Sequence, residues 1–413
     1  MSDVTQPRMA RGTKLSAGVL AAALFALLAF APFASAAPDP VVSGTTTVTL
    51  NGGFAKSLQK NGVKVLKVSP ATVKGKKITL PVSGGSLDPL TGQGTVTHTG
   101  GIKFKLGKRT VALKNLEVNT TTASLSAKVG KKTLKVASVK GFSFTRNGFG
   151  VDLNVTKLKL TGKAAKELNK ALPQPVKKKA KKGKGKASTS KTKKAAKAKP
   201  IFKANQVLGG AASTTQPGTL TVIPGGNATL TTALPTVEKL AKDNVDIKLV
   251  APTTLDSAGP PPTFGFPITG GTISPTATAG IVQTAGGLQL SQVWVPGEKE
   301  TTMSLNAIYV DLGAKTATVE VTVESKGLDP KLNLGVLGRS SIADISLTGA
   351  TVTADPATRT VSVQNATATL QAVTAEVLNS VFAGPFEAIT MTPAQKFAPG
   401  DPLGTFSFTA QAQ

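Results

Sequence analysis

Cysteine is absent from this 413-residue chain, and histidine, tyrosine and tryptophan occur once each. The absence of cysteine excludes thiol nucleophiles, disulfide frameworks, iron-sulfur clusters and cysteine-bound zinc. A single histidine allows at most one histidine-dependent general base, and no Gly-x-Ser-x-Gly motif accompanies it, which argues against a serine hydrolase. Aromatic residues make up 4% of the chain and hydrophobic residues 40%. This length and composition predict two domains that are stabilised by packing.

Close pairs of acids are the remaining candidates for catalysis, because a glycosidase can work with two carboxylates. The pairs are Asp243 with Asp246, Glu298 with Glu300, and Glu320 with Glu324. Each lies beside lysines or on an alternating strand pattern, which is typical of a solvated face. The segment "GKGKAS" at 183–188 lacks the spacing and the preceding strand of a phosphate-binding loop. We therefore predict a protein that is not an enzyme, with no catalytic residues and no metal site.

The N-terminus has the pattern of an export signal. Basic residues come before an apolar run over residues 15–31, and the small residues Ala34 and Ala36 fit a signal peptidase site. We expect residues 1–36 to be a removed signal peptide, which predicts a secreted protein, extracellular or associated with the cell envelope. A retained anchor is the alternative, since the run approaches the ~20 residues that span a bilayer.

Positive charge is concentrated in the N-terminal half of the chain. Residues 37–176 contain 23 lysines and arginines against 5 acids, the segment 177–200 adds 12 lysines and no acid, and residues 201–413 carry 11 basic and 15 acidic residues. A segment rich in like charge and poor in hydrophobic residues is typical of a disordered linker. We predict such a linker over residues 177–216, between domains at 37–176 and 217–413.

The lysines of this segment are the candidate site for a polyanion. They are Lys177, Lys178, Lys179, Lys181, Lys182, Lys184, Lys186, Lys191, Lys193, Lys194, Lys197 and Lys199. Outside a cell, the anionic partners would be cell-wall polymer, membrane surface or released DNA. No aromatic residue interleaves these lysines, so nucleic acid would be bound only non-specifically. A soluble spacer without a partner is the alternative.

One phrase is written twice in the chain, as "PVSGGSLDP" at 81–89 and as "PITGGTISP" at 267–275. Three further pairs of blocks match in the same order: 58–65 with 240–247, 116–129 with 308–321, and 165–172 with 375–382. We interpret the phrase as a strand-turn-strand element, whose glycines supply the positive φ angles of a tight turn and whose prolines lie at strand edges. Gly62 and Asn244 occupy matching positions and are each predicted to end a short helix.

Alternation of apolar with polar residues predicts strands over most of both repeats. "RTVSVQNATATLQAV" is one such stretch, and β-branched residues are frequent throughout. We predict an all-β fold of mainly antiparallel, sandwich-like sheets, with a short helix near the start and another near the end of each repeat.

The order of these motifs resembles the HtaA domain of actinobacterial secreted and cell-surface proteins. The matching motifs are a G-T-x-T-like first strand, a short helix, the P-[VI]-[ST]-G-G element, a GG-[IL]-x-[FL] strand and a later L-x-x-x-V strand. The resemblance covers about 44–172 and 218–390. It implies a chiefly β domain that, in members engaged in iron acquisition, binds haem through an axial tyrosine assisted by a histidine.

The chain departs from that family at the ligand position. The helix that carries the tyrosine in haem-binding members is written "GGFAKSLQKNG" here, with Phe54 and no tyrosine. The candidate haem ligands are therefore the sole histidine, His98, and the sole tyrosine, Tyr309, which lie in different repeats, so neither repeat can supply both. We expect His98 on an exposed strand face and Tyr309 at a sheet rim. We expect no resident cofactor; haem held by a single ligand is the exception left open. Two functions follow: an envelope binding protein related to haem or iron acquisition, or a structural or adhesive protein that attaches to anionic wall polymer through its lysines.

Overall fold

The structure, a computed structural model, describes residues 38–173, 200–328, 333–382 and 396–413. The first repeat contains β1 (Asp39–Leu50), α1 (Gly52–Lys60), β2 (Lys64–Val68), β3 (Thr72–Lys74), β4 (Lys77–Leu87), β5 (Gly94–His98), β6 (Gly101–Leu106), β7 (Arg109–Asn119), β8 (Ser124–Val129), β9 (Lys132–Asn147), β10 (Gly150–Leu160), α2 (Gly162–Ala171) and β11 (Val207–Pro217).

The second repeat contains β12 (Leu220–Thr221), β13 (Asn227–Thr232), α3 (Leu234–Lys242), β14 (Val245–Val250), β15 (Thr254–Ser257), β16 (Thr263–Ile273), β17 (Gly280–Thr284), β18 (Gly287–Val295), β19 (Lys299–Asp311), β20 (Thr316–Lys326), β21 (Gly335–Ser346), β22 (Thr351–Asp355), β23 (Thr360–Leu370), α4 (Ala372–Val381) and β24 (Pro402–Gln411). Residues 38–413 form one compact unit.

Each repeat closes its sheet on itself. In the first sheet the strands follow the order β7-β5-β4-β1-β11-β10-β9-β8, and β8 pairs with β7 to complete the circuit. In the second sheet β19-β17-β16-β13-β24-β23-β21-β20 form the same circuit, and β20 pairs with β19. The strands β6 and β2 extend outward from β7, as β18 and β14 do from β19. The two repeats therefore share one topology.

The predicted all-β class and the two short helices per repeat are confirmed. The sandwich-like closure is wrong, because each sheet is barrel-like. The reason lies in β7, which is long enough to pair with β6 over one half and with β5 and β8 over the other. Closure leaves fewer exposed strand edges than two stacked sheets would have.

The first seven residues of the twice-written phrase, 81–87 and 267–273, lie inside one strand of each sheet and do not form a turn. The register of β4 shifts between Val82 and Gly84, and that of β16 between Ile268 and Gly270, so a bulge directly precedes each glycine pair. A Cβ at Gly85 would lie 2.1 Å from the carbonyl oxygen of Thr95. The glycines are required by this close approach of two backbones and by a φ of +127° at Gly85.

The predicted helix ends are confirmed. Helix α1 begins at Asn51, whose side chain accepts hydrogen bonds from the backbone of Gly53 and Phe54, and it ends before Gly62, which has a φ of +70°. Helix α3 ends before Asn244, where φ is +51°. A residue in the left-handed region follows both helices, as the matched positions in the sequence predict.

The lysine-rich segment is not a connection between the repeats. After α2 the chain returns to the first repeat, where Asn169 accepts hydrogen bonds from the backbone of Ile201 and Phe202 at 2.9 and 3.0 Å and donates one to the carbonyl of Phe202 at 2.7 Å. Strand β11 then pairs with β1 and β10 of the first sheet. The linker predicted over 177–216 is therefore wrong in its C-terminal part. The described residues on both sides of 174–199 belong to the same repeat.

The second repeat is built in the same way. Asn379 accepts hydrogen bonds from the backbone of Lys396 and Phe397 and donates to the carbonyl of Phe397, and β24 then completes the sheet. Asn169 and Asn379 thus fix the same return of the chain in both repeats. The first repeat extends to Pro217, and the second follows directly.

A buried ion pair joins the two sheets. Arg359 lies 3.6 Å from Asp39, with side-chain exposures of 6% and 5%. Arg359 also donates to the carbonyls of Gly148 and Phe149, while Asp39 accepts from the backbone of Thr221. Burial raises the pKa of Asp39 and lowers that of Arg359. This contact fixes the β9–β10 hairpin of the first sheet against the second sheet.

Candidate functional site

His98 lies inside the first sheet, on the same inward face as Val96. Its Nδ1 is 2.9 Å from the carbonyl oxygen of Leu116, and its Nε2 is 2.6 Å from the hydroxyl of Thr46. That hydroxyl is also 2.6 Å from the hydroxyl of Ser213. A carbonyl can only accept, so Nδ1 carries the proton, Thr46 donates to Nε2, and Ser213 donates to Thr46. Both ring nitrogens are therefore satisfied within the sheet.

The exposed position expected for His98 is wrong, since its exposure is 2%. Burial lowers the pKa of His98, which keeps the imidazole neutral. Thr284 occupies the matching place in the second sheet, where its hydroxyl donates to the carbonyl of Ile308 at 2.8 Å. The positions of Thr46 and Ser213 are taken there by Ala228 and Phe408. The chain of hydrogen bonds from Ser213 through Thr46 to His98 thus occurs in the first sheet alone, and its two hydroxyl groups are not identified from the sequence.

Tyr309 lies on the outer face of β19, between the inward-facing Ile308 and Val310. The guanidinium of Arg339 covers its ring at 3.7 Å from the centroid. Arg339 is itself held by Glu320 at 3.2 Å and by the carbonyl of Ala307. The ring is therefore engaged in a cation-π contact on the outside of the sheet. His98 and Tyr309 belong to different sheets and do not form a common site.

Each sheet encloses an apolar cavity beneath its helices. The first cavity has a volume of about 40 Å³ and is lined by Phe54, Phe104 and Phe202, among others. The second has about 110 Å³ and is lined by residues that include Thr236 and Phe397. Thr236 matches Phe54 in the two helices, and its smaller side chain accounts for the larger volume. Pockets that hold drug-sized ligands have ~300–1,000 Å³, so neither cavity fits a porphyrin.

One member of each acid pair that was a candidate for catalysis is engaged in an ion pair. Asp243 lies 3.0 Å from Lys396, and Glu300 lies 3.8 Å from Lys248 and accepts a hydrogen bond from Ser291. Glu320 is the partner of Arg339. In the described ranges, histidine, aspartate and glutamate side chains form no group of three that could hold a metal ion.

The basic residues of the first repeat lack acidic partners. Five ion pairs occur among the described residues, and Asp39 is the one member that the first repeat contributes to any of them. Its lysines, by contrast with Lys239, Lys248 and Lys396 of the second repeat, form no ion pair with a described acid. The twelve candidate lysines of 177–199 lie outside the described residues, as does the predicted signal over 1–36.

No protein-family model matches this chain, and no curated protein matches it in sequence. Two of the solved structures that are similar to it are domains of one protein. The C-terminal domain of HtaA from Corynebacterium glutamicum aligns with 43% of this chain and 98% of its own length, at 10% identity and a TM-score of 0.30. The N-terminal domain of the same protein aligns with 46% and 99%, at 15% identity and a TM-score of 0.32. Both come from the family that the sequence resembles, and neither match says what this chain binds.

No helix in the described part of the chain is long and apolar enough to cross a bilayer.

Proposed function

We propose that this protein is a secreted, non-catalytic protein of the cell envelope that attaches to anionic wall polymer through its first repeat. One observation carries the proposal. Residues 37–176 contain 23 basic residues against 5 acids, and none of those in the described ranges forms an ion pair with a described acid. Unpaired surface charge of one sign attracts polymers of the other sign.

The return of the chain after α2 adds to this argument. The described residues on both sides of 174–199 belong to the repeat that already carries the excess of lysine, so we expect the 12 lysines of 177–199 to act together with those of the first sheet. The second repeat, with 10 basic residues and 15 acids over 218–413, carries a formal charge of −5 and should not attract a polyanion.

Haem or iron acquisition, which the family resemblance implies, has little support in the described residues. His98 has both ring nitrogens engaged, Tyr309 is covered by Arg339 on another sheet, and the two enclosed cavities are smaller than a porphyrin. An open pocket of about 460 Å³ on the first sheet has no histidine, tyrosine or methionine in its lining. The residues present do not fit the group, so we propose no function that depends on it.

Co-sedimentation with isolated cell wall tests the proposed function. The full protein should bind at low ionic strength and be released as the Debye length shrinks from ~30 Å at 0.01 M to ~8 Å at 0.15 M. A variant with glutamine at the 12 lysine positions of 177–199 keeps the length of the segment and should bind more weakly. Binding that is insensitive to both salt and these substitutions would refute electrostatic attachment.

A further inference from the structure

Five lysines form a continuous row across the outer face of the first sheet, where β2, β6, β7 and β8 lie side by side. We name this row the basic strip, and it consists of Lys64, Lys103, Lys105, Lys114 and Lys128. Val65, Phe104 and Val111 alternate with strip positions and face the core, so the lysines point to solvent.

Two pairs of lysines in the strip face each other directly. Lys64 is opposite Lys105, and Lys114 is opposite Lys128. Like charges in directly opposed positions destabilise a sheet. Glu117 is the one acid on these four strands, and it is opposite Ser126 and forms no ion pair with a described residue. The free protein therefore bears a repulsion that an anion lying between the lysines would remove.

The matching face of the second sheet does not repeat this charge. Asp246 is opposite Ser291 where the first sheet has Lys64 and Lys105, and Asn306 is opposite Glu320 where it has Lys114 and Lys128. The lysine on this face, Lys248, donates to Ser291 and lies near Glu300. The second sheet thus forms the matching four strands without the lysines, so the lysines are not required to build this part of the fold.

We propose that the basic strip binds a linear polymer of anionic phosphate groups along its row of lysines. Lysines make compact contacts that follow charge density, and the strip carries no guanidinium among its five members. The strip also carries no aromatic side chain that could stack on bases or insert into a membrane. This favours a dissolved or wall-linked polymer as the partner over a nucleic acid or a lipid surface. The inference rests on the proposed function and assigns it a surface in the described residues.

Binding to fluorescently labelled linear polyphosphate tests the proposal, measured over a series of salt concentrations. The parent protein carries glutamine at the lysines of 177–199, which removes their contribution. The strip variant adds Lys64→Gln, Lys103→Gln and Lys105→Gln. The matched control adds Lys140→Gln, Lys157→Gln and Lys159→Gln instead, which removes the same charge and another directly opposed pair, Lys140 and Lys157, from β9 and β10.

We expect the strip variant to bind at least ~10-fold more weakly at low salt and to reduce the slope of log K against log salt by roughly 2, since each contact to a flexible chain contributes ~0.7. The control should lose less than ~3-fold. Polyphosphate should raise the melting temperature of the parent and not that of the strip variant, whose own melting temperature should be no lower than the parent's.

Equal losses of affinity in the strip variant and the control would mean that binding depends on net charge alone, which would refute the basic strip as the binding site. A strip variant that is less stable than the parent would show a structural role for these lysines, with the same consequence. Preferential binding to vesicles of anionic lipid would replace the polymer with a membrane surface. Failure of the full protein to co-sediment with cell wall, with polyphosphate binding intact, would remove the proposed function and leave the strip.

Discussion

Replacing Phe202 by alanine should destabilise the first repeat and leave the second unchanged. Phe202 directly follows the lysine-rich segment, is 1% exposed, and has ring centroids 5.5 Å from Phe104 and 6.4 Å from Phe54. If the lysine-rich segment were a connection between domains, the residue after it would belong to neither core. The substitution therefore tests the return of the chain to the first repeat.

The cost can be worked out from burial. A phenylalanine removes about 200 Å² from water, which at ~25 cal/mol per Å² corresponds to ~5 kcal/mol, and measured Phe→Ala costs in cores are ~3–5 kcal/mol. For a domain of this size, that loss lowers the melting temperature by roughly 6–20 °C. Phe397, held by Asn379 as Phe202 is by Asn169, is the matched site in the second repeat.

The single tryptophan allows the unfolding of the second repeat to be followed separately. Trp294 lies in β18 of the second sheet, so its fluorescence reports the unfolding of the second repeat, whereas calorimetry reports both. Phe202→Ala should lower a calorimetric transition without moving the fluorescence transition, and Phe397→Ala should move the fluorescence transition. A Phe202→Ala protein whose calorimetric transitions all stay within ~2 °C of the parent would refute the placement of this segment, because the expected shift is several times larger.

Three further predictions follow from buried or strained positions. Burial lowers the pKa of His98, so the stability that the neutral imidazole contributes is complete above the ordinary histidine pKa of ~6.5 and is lost as the pH falls below that value. His98→Thr should therefore flatten the pH dependence of the first repeat's melting temperature between pH 7 and 5. An unchanged profile would contradict a neutral buried imidazole. Asp39→Ala leaves the guanidinium of Arg359 buried without its counter-charge and should lower the free energy of unfolding in urea by ~3–5 kcal/mol. Asp39→Asn keeps the acceptor for the backbone of Thr221 and should cost less. Equal costs for the two variants would mean that the hydrogen bond to Thr221 contributes nothing. Gly85→Ala places a Cβ 2.1 Å from a carbonyl oxygen and should destabilise far more than Gly75→Ala, where φ is +60° and nothing lies within 4 Å. Similar melting temperatures for the two variants would contradict this close approach of β4 to β5.

Repetition made the helix ends and the class predictable from the sequence. Gly62 and Asn244 occupy matching positions, and each tolerates the conformation that follows a helix, so one repeat supported the interpretation of the other. The alternation of residues along the strand also indicates that His98 is buried, because Val96, two residues earlier, is fully buried on the same face. The polar character of histidine favours the surface, but its position in the strand decides its burial, so the prediction of exposure is wrong.

Strand β11 was not predictable from hydrophobicity. Its inward residues include Gly209, Ala211, Ser213 and Thr215, which are small or polar and resemble a loop. They are buried because neighbours on β1 and β10 pair with them, and Ser213 is satisfied by Thr46, which lies 167 residues earlier. Long-range pairing of this kind leaves no periodic signal in a local window. The closure of the sheets was not predictable for the same reason, because it depends on the long-range pairing of β7 with β5 and β8.

Lysine footprinting of the intact protein bound to isolated cell wall tests the central claim most directly. An amine-acetylating reagent is applied with and without wall polymer at low salt, and modification is read residue by residue by mass spectrometry. Attachment through the first repeat predicts protection of the basic strip and of the lysines of 177–199, with Lys242, Lys299 and Lys315 of the second repeat modified equally in both states. Protection confined to the second repeat, or spread evenly over both, would contradict the proposed function.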